Sequence, residues 1–238
     1  MTPAQQLAKT IERTHHKKTY EEFKAIRFEL HLTYDGKTTE SFRVSYLLDR
    51  SKIKVKKLKT NTTLIYNGKA NFLFPKSDAY PKAYRDLWTW VTLFSLPFNL
   101  TTSHTILKQK SQEKFNHKRY QTLAFNLGEQ QGAFAHEWLT LYSSSSTNFL
   151  TAVRVNKPEQ TLYNTAQAIV YKRFFSLNRV PMAKYWDFYH WNSTKGIYGD
   201  RIGRATLSKV KFFNPPKNYF HVPNDALRLE TQKNAPIL

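Results

Sequence analysis

The sequence predicts a mainly β domain carrying two helices, one at the N-terminus and one near the middle. Three observations carry this. Apolar and polar residues alternate with period two in at least eight segments between Arg27 and Phe213. Turn dipeptides such as Asp35-Gly36 and Asn67-Gly68 separate neighbouring segments. Two stretches, residues 3–18 and 79–95, abandon the alternation for helix-like spacing.

In the first of these, Leu7 and Ile11 lie four apart and Pro3 suits a first helical turn. Phe28, Leu30, Leu32 and Tyr34 then alternate with Arg27, Glu29, His31 and Thr33. Beyond Asp35-Gly36, Phe42, Val44, Tyr46 and Leu48 alternate with Ser41, Arg43 and Ser45. This is a hairpin with one buried face. Further strands are expected over residues 53–58, 62–66 and 71–74, where Pro75 ends the meander. Tyr84, Leu87, Trp88, Val91 and Phe94 recur at helical spacing, and Pro97 marks the end of that helix. Strand patterns resume over residues 105–110, 119–127, 137–142, 148–155, 166–175, 185–191 and 204–213. In the last, the two faces are not cleanly sorted. A meander this long must close on itself or cover its inner face, and the aromatic central helix is the natural plug. With no Gly/Pro-rich linker, residues 1–238 read as one domain, with a loosely held tail from residue 230.

Composition narrows the chemistry. The chain has no cysteine, which excludes disulfides, thiolate metal sites and a thiol nucleophile. It contains no apolar run near the roughly 20 residues of a membrane-spanning helix. The chain opens on polar residues rather than an export signal, so it is expected to be cytoplasmic, or periplasmic or envelope-bound if a signal has been removed. The eight histidines follow no metal-binding spacing, and neither a G-x-S-x-G nor a phosphate-loop pattern occurs. No catalytic residue, metal or cofactor is therefore expected.

Two features point to partners. Lys and Arg number 37 against 17 Asp and Glu, a net charge of +20, which favours anionic partners. Lys52, Lys54 and Lys56 alternate with Ile53 and Val55 and so share one face of a strand. The ordinary role of such a face is edge protection; the functional one is a ridge contacting an anionic surface. Aromatics make up 15% of residues, among them Trp88, Trp90, Phe94, Trp138, Tyr142 and Trp186. They fill a large core or line an apolar cavity.

Several local patterns together carry a family resemblance: Asn67-Gly68-Lys69, Tyr84-Arg85-Asp86-Leu87-Trp88-Thr89-Trp90, Leu96-Pro97-Phe98-Asn99-Leu100, Glu137-Trp138-Leu139-Thr140-Leu141-Tyr142, Asn178-Arg179-Val180-Pro181 and Phe220-His221-Val222-Pro223. Over residues 24–227 the chain resembles a group of mostly Bacteroidetes-type envelope proteins of the lipoprotein-carrier-like (LolA/LolB-like) superfamily. The resemblance implies a large curved antiparallel sheet, an unclosed barrel, covered by the central and N-terminal helices. It implies a concave apolar face that receives acyl chains, with Leu87, Trp88, Val91 and Phe94 on a lid helix and Trp138 and Tyr142 on a strand of the sheet. The high charge and the absence of an export signal depart from that group. The function expected is a non-enzymatic carrier of a lipid or lipoprotein acyl chain. The alternative is a basic β-sheet protein that binds nucleic acid or an anionic membrane surface.

Overall fold

The computed structural model describes residues 1–34, 36–77, 80–109, 112–115, 118–128, 134, 137–157 and 159–229. The predicted turn residue Asp35, the start of the predicted helix at Ala79, His117, His136 and the tail from residue 230 lie outside them. Two helices open the chain, α1 (Pro3–Thr14) and α2 (Lys17–Glu21). A first meander follows: β1 (Ala25–Tyr34), β2 (Lys37–Leu47), β3 (Ile53–Lys57), β4 (Thr63–Tyr66) and β5 (Asn71–Phe74). After α3 (Ala83–Ser95) comes a second series: β6 (Ile106–Gln109), β7 (Glu113–Phe115), β8 (Lys118–Asn126), β9 (Leu139–Ser144), β10 (Leu150–Val155), β11 (Ala168–Leu177), β12 (Val180–Asn192) and β13 (Gly196–Phe213). The short β14 (Leu227–Leu229) ends the described chain.

All strands belong to one antiparallel sheet, in the order β14-β5-β4-β3-β2-β1-β13-β12-β11-β10-β9-β8-β6, with β7 also on β8. Strands make up about half of the described residues, and the sheet does not close into a barrel. From β1 to β5 and from β8 to β13 neighbours in sequence pair, while β6 and β7 both pair with β8, and the two series are joined by β1 against β13, from Ala25↔Phe213 to Tyr34↔Gly203. The helix between the meanders lies against the inner face of the sheet. Along α3 almost every side chain is buried, on every side of the helix. A helix apolar all round is one enclosed on all sides. Phe28 stacks on Phe94 at 4.5 Å and Phe42 tilts on Trp90 at 5.6 Å, so the sheet grips the helix through aromatic rings.

The structure departs from the expected elements at identifiable places. The N-terminal helix stops at His15, and His16 takes a left-handed conformation (φ 57°) before α2 begins. That break turns His15 inward. Thr2 and Gln5 form a reciprocal cap at the helix start, beside Pro3. Glu137 and Trp138 precede β9 instead of opening it, because the Glu137 amide closes a turn on the Phe134 carbonyl at 3.1 Å. β12 starts five residues earlier than expected, since Asn178 and Arg179 both have positive φ and make a two-residue turn that pairs Leu177 with Val180. The unsorted faces of β13 come from a bulge. Lys209 has φ 49° and the register with β1 slips between Arg27 and Glu29. The extra residue moves the inward set from Ala205 and Leu207 to Val210 and Phe212.

Candidate functional site

The inner face holds an apolar crevice at the C-terminal end of α3. Its walls come from four places: His15 after α1, Leu93, Phe94, Pro97 and Phe98 at the end of α3, Leu150 on β10, and the hairpin β11–β12 with Tyr171, Phe174, Pro181, Met182, Ala183 and Trp186. The hairpin reaches the crevice because its two-residue turn keeps Phe174 opposite Ala183 and Phe175 opposite Met182. The crevice volume is about 30 Å³. That is the room of roughly one water molecule, so an acyl chain enters only if the walls part.

The polar groups of the wall are mostly used up. Tyr171 donates to the Leu93 carbonyl at 3.0 Å and the Trp186 indole to the Ala183 carbonyl at 3.2 Å. His15 is 2% exposed, with its ring edge-on to Phe98, Phe149 and Phe174. Its Nε2 accepts the Leu150 amide at 3.0 Å, so the neutral ring carries its proton on Nδ1. Nδ1 has no hydrogen-bond partner; the Pro181 carbonyl favours a proton there but does not reach bonding geometry. Burial lowers the His15 pKa to about 3, and neighbouring His16 adds to the effect.

The opposite end of α3 is polar. Asp86, 1% exposed, accepts the Tyr80 hydroxyl on Oδ2, while Oδ1 has no partner. Burial raises its pKa to about 6. Glu137 lacks a partner on Oε2, and burial raises it to about 7. Glu40 accepts from Tyr163 and pairs with Lys57 at 3.3 Å. Among the described residues no three His, Asp or Glu side chains group as metal ligands would.

Of the six residues expected to contact an acyl chain, only Phe94 lines the crevice. Leu87, Trp88 and Val91 are buried in the enclosed body of α3, and the Trp88 indole donates to Asn71 at 3.2 Å. Trp138 is half-buried off the sheet, with Lys108 Nζ 4.7 Å from its ring centre. Tyr142 is on a strand, as expected, but faces outward in a second apolar cluster with Trp191 and Val170, and its hydroxyl donates to Glu113 at 2.5 Å. Lys52, Lys54 and Lys56 do not protect an edge, because β3 lies between β2 and β4. As a ridge the three are unequal: Lys54 donates to the Tyr219 carbonyl at 3.2 Å beneath the C-terminal segment, Lys56 is half-buried and Lys52 is exposed.

Sequence reasoning missed His15, Phe174 and Met182, while Trp186, noted among the dense aromatics, does stand in the wall. One signal was available for His15. Ala4, Ala8, Ile11 and His15 recur at spacings of four and three and form the buried stripe of α1, whose alanines made it look thin.

No family model matches the chain, and no curated protein matches its sequence. Solved structures do. A LolA superfamily protein from Nitrosomonas europaea matches with a TM-score of 0.55 at 11% identity, covering 90% of this chain and 96% of that one. A DUF1329 family protein from Desulfovibrio piger matches with a TM-score of 0.56 at 8% identity, covering 92% and 98%. The likeness is one of fold, and the LolA-like architecture implied by the sequence motifs is the architecture observed.

Proposed function

We propose that this protein is a non-enzymatic carrier of the bacterial envelope that receives the acyl chain of a lipid or lipoprotein in the crevice beside α3. The observation that carries this reading is the crevice itself: apolar side chains on all sides and contributions from four separate segments. Such a wall opens when one segment moves. Phe94 would meet the chain first; Leu87, Trp88 and Val91 would meet it only if α3 shifted along the sheet. The LolA-like fold supports the reading, because its curved sheet and enclosed helix leave an apolar inner face for cargo. Burying a few hundred Å² of acyl chain at about 25 cal/mol per Å² supports micromolar-class binding after association costs.

The test is titration with a fatty acid and with its methyl ester, followed by tryptophan fluorescence, since Trp186 stands in the wall. A saturable change at micromolar ligand, insensitive to salt, is expected. A flat signal with both ligands overturns the carrier reading. The charge of +20 favours a second reading, a protein that acts only by binding anionic polymers such as nucleic acid. That binding would fall steeply as salt rises.

A further inference from the structure

The hairpin that walls the crevice carries a dense cationic cluster on its outer surface. Strand alternation alone would separate Lys172 from Arg173. Arg173 instead has φ 52°, which breaks the alternation, so that both cations stand on the outside of the sheet. Pairing register adds the rest. Tyr185 on β12 has Arg204 4.3 Å, Arg173 5.6 Å and Lys184 5.7 Å from its ring centre. Two residues on, Asp187 is 1% exposed and holds Arg204 at 2.6 Å, Lys172 at 3.0 Å and Arg201 at 3.9 Å. Three cations thus surround one carboxylate, and two more, Arg173 and Lys184, flank the neighbouring Tyr185 ring with no acidic partner among the described residues.

The same pattern repeats across the sheet. Glu29, 3% exposed, holds Arg43 at 2.7 Å and Lys209 at 3.0 Å, and His31 lies 3.8 Å away. Arg43 faces Lys56, and Arg27 faces Lys211. The charge therefore runs over the outer face from β3 to β11. At a strand spacing of about 4.8 Å this belt is roughly 24 Å wide. In each cluster the carboxylate is sunk and the cations lie outside it, half-buried at Arg43, Lys172 and Arg204 and exposed at Arg201 and Lys209, so the outward field is positive.

We propose that this outer face, centred on Arg173, Lys184 and Arg201, docks the protein on an anionic phospholipid bilayer. The choice of lipid over nucleic acid rests on the carrier reading and on placement. Arg173 and Lys184 each adjoin in sequence a residue of the crevice wall, Phe174 and Ala183, and those two residues pair across the hairpin. One hairpin thus offers charge outside and an apolar opening inside, which matches a charged headgroup joined to an apolar tail. A nucleic acid has no counterpart for the second half.

The test is co-sedimentation of the full chain with vesicles of phosphatidylcholine alone and of phosphatidylcholine with phosphatidylglycerol. Three variants are compared: wild type, Arg173→Gln/Lys184→Gln/Arg201→Gln, and Lys9→Gln/Lys69→Gln/Lys76→Gln. The last removes the same charge from exposed positions elsewhere. The cluster variant keeps Arg204 and Lys172 on Asp187, so the buried carboxylate stays paired. Binding only to the anionic vesicles is expected, with a fall of about 100-fold in the cluster variant and a few-fold at most in the control, since each basic residue near such a surface contributes about fivefold. Equal losses in both variants would assign the effect to overall charge and overturn the proposal. So would unchanged vesicle binding in the cluster variant, including the case in which that variant loses only oligonucleotide binding. Fatty-acid titration of the same variants separates the two readings: docking can fail while acyl binding holds, and the reverse.

Discussion

Replacing Phe94 with alanine tests whether the space between α3 and the sheet is filled. Phe94 is 5% exposed, stacks on Phe28 at 4.5 Å and lies 6.3–6.4 Å from the rings of Tyr46, Phe98 and Trp186. Truncating a packed aromatic costs about 3–5 kcal/mol, part of it for the cavity left behind, at about 24 cal/mol per Å³. Phe94 already borders a void of about 30 Å³, whose missing contacts lower the loss by about 0.7 kcal/mol at most. The expected cost is therefore about 3–4 kcal/mol, with the aromatic pairings holding it toward the upper part. Urea unfolding followed by tryptophan fluorescence measures it, because Trp186 reports from the same wall. A loss below about 2 kcal/mol would mean that the ring lines open space and would refute the packed interior. The enlarged apolar void should also take up benzene, seen as a rise in melting temperature that wild type does not show.

Two further predictions concern buried ionisable groups. His15 has its pKa lowered from 6.5 to about 3, so its neutral form stabilises the fold fully above pH 6.5 and less as pH falls toward 3. Wild type should lose about 2 kcal/mol from this group between pH 7 and pH 5, a slope that His15→Gln removes; parallel pH profiles of the two proteins would contradict it. Asp86 has the opposite sign: raised from 3.8 to about 6, it favours the fold when protonated and costs stability as pH climbs through that range. Asp86→Asn should therefore gain about 2–3 kcal/mol on wild type at pH 7 relative to pH 4, by chemical denaturation at both; a constant difference would show that the carboxyl is not held in the buried, poorly solvated state described.

The fold was legible wherever one strand face met the core and the other met water. The alternation from Phe28 to Leu48 is read directly as β1 and β2. It failed where backbone irregularity shifts the phase, as at Arg173 and Lys209, because a single left-handed residue has no signature in polarity. The three-residue β7 and β14 are too short to show a period. The apolar stripe of α3 was visible, but a stripe does not say whether its other sides are covered too, and here Trp90 and Thr89 are as buried as Leu87. The cationic cluster was legible only in part, as the basic stretch of Arg201, Arg204, Lys209 and Lys211. Lys172 and Lys184 lie far from Arg201 and Arg204 in sequence and meet them only through the register of β11, β12 and β13. The run around Lys54 stood out because its charges are adjacent, yet register and the Tyr219 segment leave it less free.

The seam between β1 and β13 has a consequence for how the protein comes into being. Ala25 waits for Phe213, and Tyr34 for Gly203. At synthesis rates of about 5–20 residues per second, the wait is roughly 10–40 s. Over that interval the first meander has both strand edges bare, β1 awaiting β13 and β5 awaiting β14, and non-local pairing of this kind is slow to form even when the whole chain is present. What the early half does carry is charge on its outward positions, at Arg27, Arg43, Lys54 and Lys56. Mutual repulsion between nascent chains then keeps half-built sheets from pairing with one another until their own second half arrives.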